Sequence, residues 1–549
     1  MKRKLNNPKI AGILAFIIVW CGFSFGAAVL AQETSREKIP EKPTSKQTPT
    51  ANPTTSPTPI PTPTAITVQT LAGLQSKIRS TLARPELRRG TIGVKIVSLD
   101  TGTTVFEENA EKYLMPASNM KSYTIAAALE RLSPDFRFVT SIFASAPPDA
   151  DGAIRGDLTV YGRGDVSLST AFNNGDYYKG LDALAQKIVQ AGVKRIEGNL
   201  VGDESYFTGN AIPEGWEWDD LQWYYGAEIS ALPVNDNSVD LSVKPSSVNS
   251  PCAVQILPTN AVMKIVNRCT TSAGSVRRDI QVLKKLDQNT VEISGSMPSD
   301  DRGFQGSIAV SRPAQLFVEL LRGLLIQKGV IITGQNKLLN AQDKANFVAP
   351  NSSVSPVEIT KLESPPFALI AAKTMKPSQN TYTETILRTL GEQVGDKNNP
   401  KKSSAERGLE VVQNFLLQAG ISSGCVIQYD GSGLSRHDLI TPGSAVQLYT
   451  YMSKSRYANV WREAQTVGAI DGTLQNRFKG TSAAGNVRGK TGTLDQVSSL
   501  SGYVSSVSGE KFVFSVIVNA VGEVRARQSA IDEIVLSLAN FNGRTSGKP

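Results

Sequence analysis

Between about Arg137 and Pro356 the chain changes texture, and the segment ahead of that stretch must be completed by the segment beyond it. Ahead of it come an amphipathic helical period (Leu71, Leu74, Ile78, Leu82), an alternating strand from Thr91 to Leu99, a turn at Asp100-Thr101-Gly102 and a second strand from Thr103 to Phe106. Another helix runs through Thr124, Ile125, Ala126 and Leu129. Beyond the stretch, helices are predicted around Phe367–Met375, Asn380–Leu390 and Ala405–Ala419. Strands Ser498–Val504 and Lys511–Val518 and a last helix, Val524 to Phe541, close the chain. A C-terminal helix returning against a sheet makes the first and last segments one split domain. The interior instead carries short β-like runs, among them Asp157–Tyr161, Asn199–Gly202, Ser238–Val243, Thr290–Ile293 and Ser307–Val310. Helices near Leu181–Ala191 and Pro313–Lys328 interrupt them, as expected for one or two β-rich inserted domains of about 200 residues.

The N-terminus reads as a targeting segment. Lys2, Arg3, Lys4 and Lys9 precede an apolar run from Ile10 to Ala31 that ends Ala28-Val29-Leu30-Ala31, with small-type residues where a signal peptidase reads. The run is also long enough to span a bilayer uncleaved, so either a signal peptide cut after Ala31 or a membrane anchor is expected; both export the rest. From Gln32 to about Thr67 the chain is Thr, Pro, Ser and Lys with few large apolar residues, an extended linker with no core to bury. The net charge of +9 falls to +5 without the leader, which holds four cations and no acid. No cluster of cations interleaved with aromatics points to nucleic acid. Of four cysteines, Cys21 lies in the leader, Cys252 and Cys269 are near enough in sequence to close a disulfide loop, and Cys425 is left over. None has metal-ligand spacing, and no cofactor is expected.

Within Pro116-Ala117-Ser118-Asn119-Met120-Lys121, Ser118 and Lys121 are three residues apart at a helix start. That spacing puts the hydroxyl and the amine on one face. A serine needs a neighbouring base to be nucleophilic, and lysine can serve once burial lowers its pKa. A surface helix start is the plainer reading of this motif by itself. The chain holds one histidine, His437, through which any Ser-His-Asp triad would have to run, and a zinc site built on several histidines is excluded. Lysine is therefore the expected base of a nucleophilic hydrolase. In Ser378-Gln379-Asn380 a second hydroxyl can relay a proton and an amide can orient lysine and substrate, although Ser378 can equally cap the adjoining helix. In Lys490-Thr491-Gly492-Thr493-Leu494, Lys490 and Thr491 suit a substrate carboxylate, and Gly492 permits close backbone approach. The Thr493 N–H can pair with that of Ser118 as an oxyanion hole.

Ser-x-x-Lys, Ser-x-Asn and Lys-Thr-Gly, in that order, form the motif set of class A β-lactamases and penicillin-binding proteins. The chain resembles the class C low-molecular-mass penicillin-binding proteins, the D-Ala-D-Ala carboxypeptidase/endopeptidases, over roughly Val68 to Phe541. Tyr161–Asp165, Gly202–Phe207, Gly215–Leu221 with Tyr225–Ala227, and Asp430–Arg436 carry the likeness too. So does the gap of 260 residues between Ser118 and Ser378, since this family inserts two domains there and class A β-lactamases do not. The resemblance implies an α/β (α+β) penicilloyl-serine transferase domain, split in sequence over 68–137 and 357–549. The inserted domains would then be 138–240 with 306–356, and 241–305. It implies an acyl-enzyme on Ser118 with Lys121 as base, proton relay through Ser378, orientation by Asn380, and carboxylate and oxyanion binding by Lys490, Thr491 and Thr493. It also implies a pocket for the diamino acid side chain of a stem peptide, lined by Trp216, Asp219, Tyr224, Arg436 and Leu494. Gln379 departs from the acidic or small residue usual at the centre of the second motif, with no effect on the chemistry expected.

The partners implied are peptidoglycan stem peptides ending in D-Ala-D-Ala, cross-linked peptides and, as inhibitors, β-lactams. No nucleic acid is expected, and a membrane only through the N-terminal segment. Two further readings compete. A serine β-lactamase of the same superfamily needs a feature that speeds deacylation, and none is identifiable. A non-catalytic β-lactam-sensing or wall-binding module would lack Ser118, Lys121 or Lys490, all of which are present.

Overall fold

The computed structural model describes residues 69–346 and 355–546. The leader, residues 1–31, and the linker, 32–67, lie outside the described residues. At the centre of the split domain is an antiparallel six-stranded sheet. Its order is Thr466–Val467, Arg488–Leu494, Val497–Ser505, Lys511–Asn519, Thr91–Ser98 and Thr104–Glu108. The N-terminal hairpin thus extends the C-terminal strands through eight paired positions, from Thr91 opposite Asn519 to Ser98 opposite Phe512.

Both faces of this sheet are buried, and period-two alternation sorts the side chains between them. Phe512, Phe514, Val516 and Val518 join a core with Leu74 and Ile78 of the Leu71–Leu82 helix and Ile531, Ile534 and Leu538 of the Val524–Ala539 helix. Val513 and Ile517 point the other way, into a second core with Ile125 and Leu129 of the Lys121–Leu132 helix and with the helices Phe367–Met375 and Pro442–Lys454. A near-continuous apolar run is what a strand covered on both sides requires.

In the insert, a five-stranded sheet runs in the order Asn336–Leu339, Leu200–Asp203, Leu158–Tyr161, Val139–Ala144, Val357–Glu363. Helices Lys179–Gln190 and Pro313–Gln327 pack on it through Leu184, Ile188, Phe317 and Leu321. Beyond it lie two three-stranded sheets. One joins Phe304–Ala309, Ser238–Lys244 and Ala253–Leu257, the other Lys264–Ser272, Thr290–Pro298 and Asp279–Lys284. The expected limits of the inserted domains shift accordingly. The hydrogen bonds of Val357–Glu363 go to Val139–Ala144, so the insert's sheet continues past 356 to Glu363. The breaks expected at 240/241 and 305/306 cut through two paired strands, Ser238–Lys244 and Phe304–Ala309. Cys252 and Cys269 form a disulfide between the start of the strand Ala253–Leu257 and the strand Lys264–Ser272, with Cα atoms 5.4 Å apart, and Cys425 is free.

Candidate active site

Ser118 sits on a 3-10 turn, Ala117–Met120, and the α-helix begins only at Lys121. The sequence places the motif inside the helix's first turn, whereas Ser118 lies on the tighter turn that precedes the helix. Ala117 adopts φ 48°, a left-handed conformation uncommon for alanine. The turn is fixed from the sheet: Ser499 Oγ donates to the Pro116 carbonyl at 2.7 Å and accepts from the Asn119 amide. Met115 exchanges two backbone hydrogen bonds with the Asn519 side chain, at 2.8 and 3.1 Å. Gly492 faces this turn so closely that a Cβ there would lie 2.3 Å from Ser499 Oγ and 2.4 Å from the Pro116 oxygen. Glycine in the third motif is thus a contact requirement.

Lys121 is completely buried, and its ammonium donates to Ser118 Oγ at 3.0 Å, Asn380 Oδ1 at 2.6 Å and the Ser432 carbonyl at 2.7 Å. Burial lowers its pKa to about 8, against the opposing pull of Asp430, Glu384 and Asp438. Lys490, equally buried, donates to Ser378 Oγ and to the Thr491 carbonyl, each at 2.9 Å. Burial, and then the charge of Lys121, hold its pKa well below the ordinary lysine range. The two buried lysines are therefore each bonded to one of the two serines. Ser378 itself lies at φ 69° just ahead of the helix Asn380–Gln393, and that helix has no side-chain N-cap bond, so the capping alternative for Ser378 does not hold. Asn380 bridges outward as well, its amide donating to the Tyr225 carbonyl of the insert at 2.9 Å.

The acceptor carbonyl of Ser432 belongs to a loop wound around Asp430. The Asp430 carboxylate accepts from the backbone N–H groups of Ser432, Gly433 and Ser435, from the Ser432 hydroxyl and from the Trp216 indole at 2.8 Å. Gly433, at φ 78°, lies against the Ala117 carbonyl, where no Cβ fits. Glu384 is buried beside this loop, and burial together with Asp430 raises its pKa to about 8. Sequence reasoning singles out neither Asp430 nor Glu384 for the site. The run Asp430-Gly431-Ser432-Gly433 is the available signal, because an aspartate ahead of Gly and Ser folds turns around its own carboxylate.

On the strand edge, Thr491 donates to Thr473 Oγ1 at 2.6 Å, while the Thr493 side chain is exposed. The strand Thr466–Val467 covers only Gly489 and Arg488, so beyond Gly489 this edge has no strand partner among the described residues. The five residues expected to form a side-chain pocket divide. Trp216 is buried in a small cluster with Leu434, Ile229, Leu221, Tyr225 and Leu494, so it seals the joint between insert and main domain. Tyr224 is half-buried and stacks edge-on against Tyr225, with ring centroids 5.7 Å apart. Asp219 is exposed. Arg436 pairs with Glu217 at 2.9 Å and reaches the Asp495 carbonyl at 3.3 Å, so its guanidinium already has a carboxylate. His437 is exposed and packs on Tyr429, whereas the Ser118 hydroxyl is bonded to Lys121.

A serine bonded to a buried lysine, on a turn against the edge of a six-stranded sheet with helices on both faces, defines a serine hydrolase of the penicilloyl-serine transferase fold. The solved penicillin binding protein 4 (dacB) from Haemophilus influenzae has this fold, matching with a TM-score of 0.71 at 22% identity over 87% of this chain and 100% of that one. The same protein complexed with a novel β-lactam matches at 0.65, with 20% identity over 84% and 98%. The chain belongs to the D-Ala-D-Ala carboxypeptidase 3 (S13) family, whose model matches residues 74–540. It is 31% identical over 488 residues to the D-alanyl-D-alanine carboxypeptidase of Actinomadura sp. (strain R39), covering 86% of each chain. It is 25% identical over 434 residues to D-alanyl-D-alanine carboxypeptidase DacB of Haemophilus influenzae, covering 78% and 85%. The protein is accordingly an enzyme, a serine-type D-alanyl-D-alanine carboxypeptidase.

Proposed function

We propose that the enzyme cleaves peptidoglycan stem peptides ending in D-Ala-D-Ala, and cross-linked peptides, through an acyl-enzyme on Ser118, and that β-lactams acylate the same serine. The single observation that carries this reading is the Ser118–Lys121 bond at 3.0 Å with the lysine buried and its pKa brought down to about 8. A neutral Lys121 amine takes the Ser118 proton as Oγ adds to the carbonyl of the penultimate D-Ala. The N–H groups of Ser118 and Thr493 hold the resulting oxyanion, donors commonly worth about 3 kcal/mol each. The C–N bond breaks as the proton that Lys121 has taken passes through the Ser378 hydroxyl, itself bonded to Lys490, to the departing amine, which leaves Lys121 neutral again. Water then attacks the ester as Lys121 takes its proton. As the bond from the acyl carbon to Ser118 Oγ breaks, Lys121 returns that proton to Oγ, so that the shortened peptide leaves with the Ser118 hydroxyl restored.

The unpartnered edge beyond Gly489 suits an extended peptide lying alongside it, with Lys490 and Thr491 at its carboxylate. In this reading Asp219, Tyr224, Arg436 and Leu494 supply charge and apolar surface for the residue preceding D-Ala-D-Ala, supported by Leu494 packing in the Trp216 cluster and Tyr224 stacking on Tyr225. Export to a periplasm or wall space agrees with the disulfide, which persists in oxidising compartments. The test is labelling of residues from about Val68 onward, wild type and Ser118→Ala, with a fluorescent penicillin on a denaturing gel, alongside D-Ala release from a pentapeptide. Labelling and D-Ala release by wild type alone are expected. A folded wild type that takes no label overturns the acyl-enzyme, and labelling without D-Ala release makes it a sensor.

A further inference from the structure

Three consecutive non-glycine residues of the insert, Asn235, Asp236 and Asn237, all adopt left-handed backbone conformations, at φ 46°, 58° and 55°. Such runs persist only where the surroundings over-determine them, and here the two outer residues supply the anchors. The Asn235 amide donates to the Tyr177 carbonyl at 2.9 Å. That of Asn237 donates to the Glu228 carbonyl at 2.8 Å, and its own backbone carbonyl accepts from Val310 N–H at 2.9 Å. The middle residue points away from the insert. Its carboxylate accepts from Gln379 Nε2 at 3.1 Å on one oxygen and from the Tyr382 hydroxyl on the other. Ser169 Oγ lies 2.7 Å from the Tyr382 oxygen and, as a donor, completes that oxygen's bonding.

Gln379 and Tyr382 are three apart on the segment that opens with Ser378 and Asn380, so one carboxylate grips both ends of its first turn. Ser378, at φ 69°, is held in an uncommon conformation from which it meets Lys490, and Asn380, at the start of the helix, meets Lys121. We infer that Asp236 is a positioning residue for the reaction: from the insert it fixes the Ser378-Gln379-Asn380 segment against the two lysines, through Gln379 and Tyr382. The inference rests on the proposed acyl-enzyme on Ser118. It also gives Gln379 a reason. An acidic residue at that position would set two carboxylates against each other, whereas an amide donates to Asp236.

The experiment compares wild type, Asp236→Ala, Asp236→Asn, Gln379→Ala and Gln379→Glu for steady-state D-Ala release and for the rate of penicillin labelling. A sub-ångström to ångström shift of Ser378 costs turnover more than binding, so kcat of Asp236→Ala should fall about 10- to 100-fold with KM within about twofold. Asp236→Asn should recover most of it, since its oxygen still accepts from Tyr382 and the Gln379 amide can turn to accept. Gln379→Glu should be worse than Gln379→Ala. Adding Gln379→Ala to Asp236→Ala should cost little more, because both remove one contact. If Asp236→Ala does not fold, the order of the two Gln379 variants decides. Wild-type kcat in Asp236→Ala, or equal activity of Gln379→Glu and Gln379→Ala, overturns the inference. A wild type that takes no label instead overturns the acyl-enzyme on which it rests.

Discussion

Lys121 makes its three hydrogen bonds to neutral acceptors, and burial decides its pKa more than any nearby charge does. With no carboxylate in contact to repay the desolvation of an ammonium, burial lowers the pKa to about 8 while Asp430, Glu384 and Asp438 pull it back from farther away. Protonated Lys121 cannot accept the Ser118 proton, so acylation by a penicillin should rise about tenfold per pH unit from pH 6 towards 8 and level off above. Labelling rates across pH 6 to 10 read this directly, and a flat profile removes Lys121 from the role of base. Gly492 carries a second prediction at this scale. A methyl group there meets Ser499 Oγ and the Pro116 oxygen, both parts of the scaffold under Ser118. Gly492→Ala should cost about 1–3 kcal/mol of stability as an overpacked contact. It should slow acylation at least about tenfold through the displaced turn. Wild-type labelling by this variant would mean that the turn under Ser118 yields freely.

Among the elements, those of the split domain are largely legible in the sequence, because both-face burial and helical periods leave strong patterns. The helix Lys121–Leu132 buries Ile125 through Leu129 without interruption, and the strand Lys511–Asn519 is apolar or small almost throughout. What the pattern cannot carry is backbone conformation at ordinary residues. Nothing in Ala117 or Ser378 announces a positive φ, since side-chain pattern encodes burial, and local strain is imposed by tertiary contacts. Hence the 3-10 turn under Ser118 reads as α-helix, and Ser378 reads equally well as a cap. The strand Val357–Glu363 is assigned to the wrong domain for a related reason. Its exposure pattern is mostly open, so only its hydrogen-bond partner, Val139–Ala144, says to which sheet it belongs. The disulfide belongs to this scale too. It closes a loop across a separation of 17 residues in a part of the insert that otherwise has only thin three-stranded sheets. Replacing both Cys252 and Cys269 by alanine should lower stability by about 2–4 kcal/mol in denaturant unfolding. Labelling of Ser118 should be unchanged, because the hydrogen bonds around Ser118, Lys121 and Lys490 come from other segments. A fall in labelling of the folded variant would instead tie the outermost sheets to catalysis.

For the molecule as a whole, insert and main domain meet where the reaction is proposed to occur, and the contacts there are polar and specific. Trp216 donates to Asp430, the Tyr225 carbonyl receives Asn380, and Arg436 pairs with Glu217. The first two hold residues that in turn hold Lys121, whereas the third is a half-exposed ion pair of little energetic weight, about 0–1 kcal/mol. A weak pair across a joint is easily exchanged, which is what the proposed role of Arg436 as a carboxylate receptor requires. On the proposed reading, a substrate carboxylate arriving at Arg436 has only to displace Glu217, which meets the guanidinium through Nε alone. On this view Glu217 competes with substrate, so Glu217→Gln should lower KM up to about fivefold for a pentapeptide whose third residue ends in a carboxylate. It should leave KM unchanged for a peptide with an uncharged side chain there, and kcat unchanged for both. Arg436→Ala should erase the difference between the two peptides. Equal KM values for Glu217→Gln and wild type on the charged peptide would make Arg436 a strut of the joint, and the carboxylate of the stem peptide would then need a different cation.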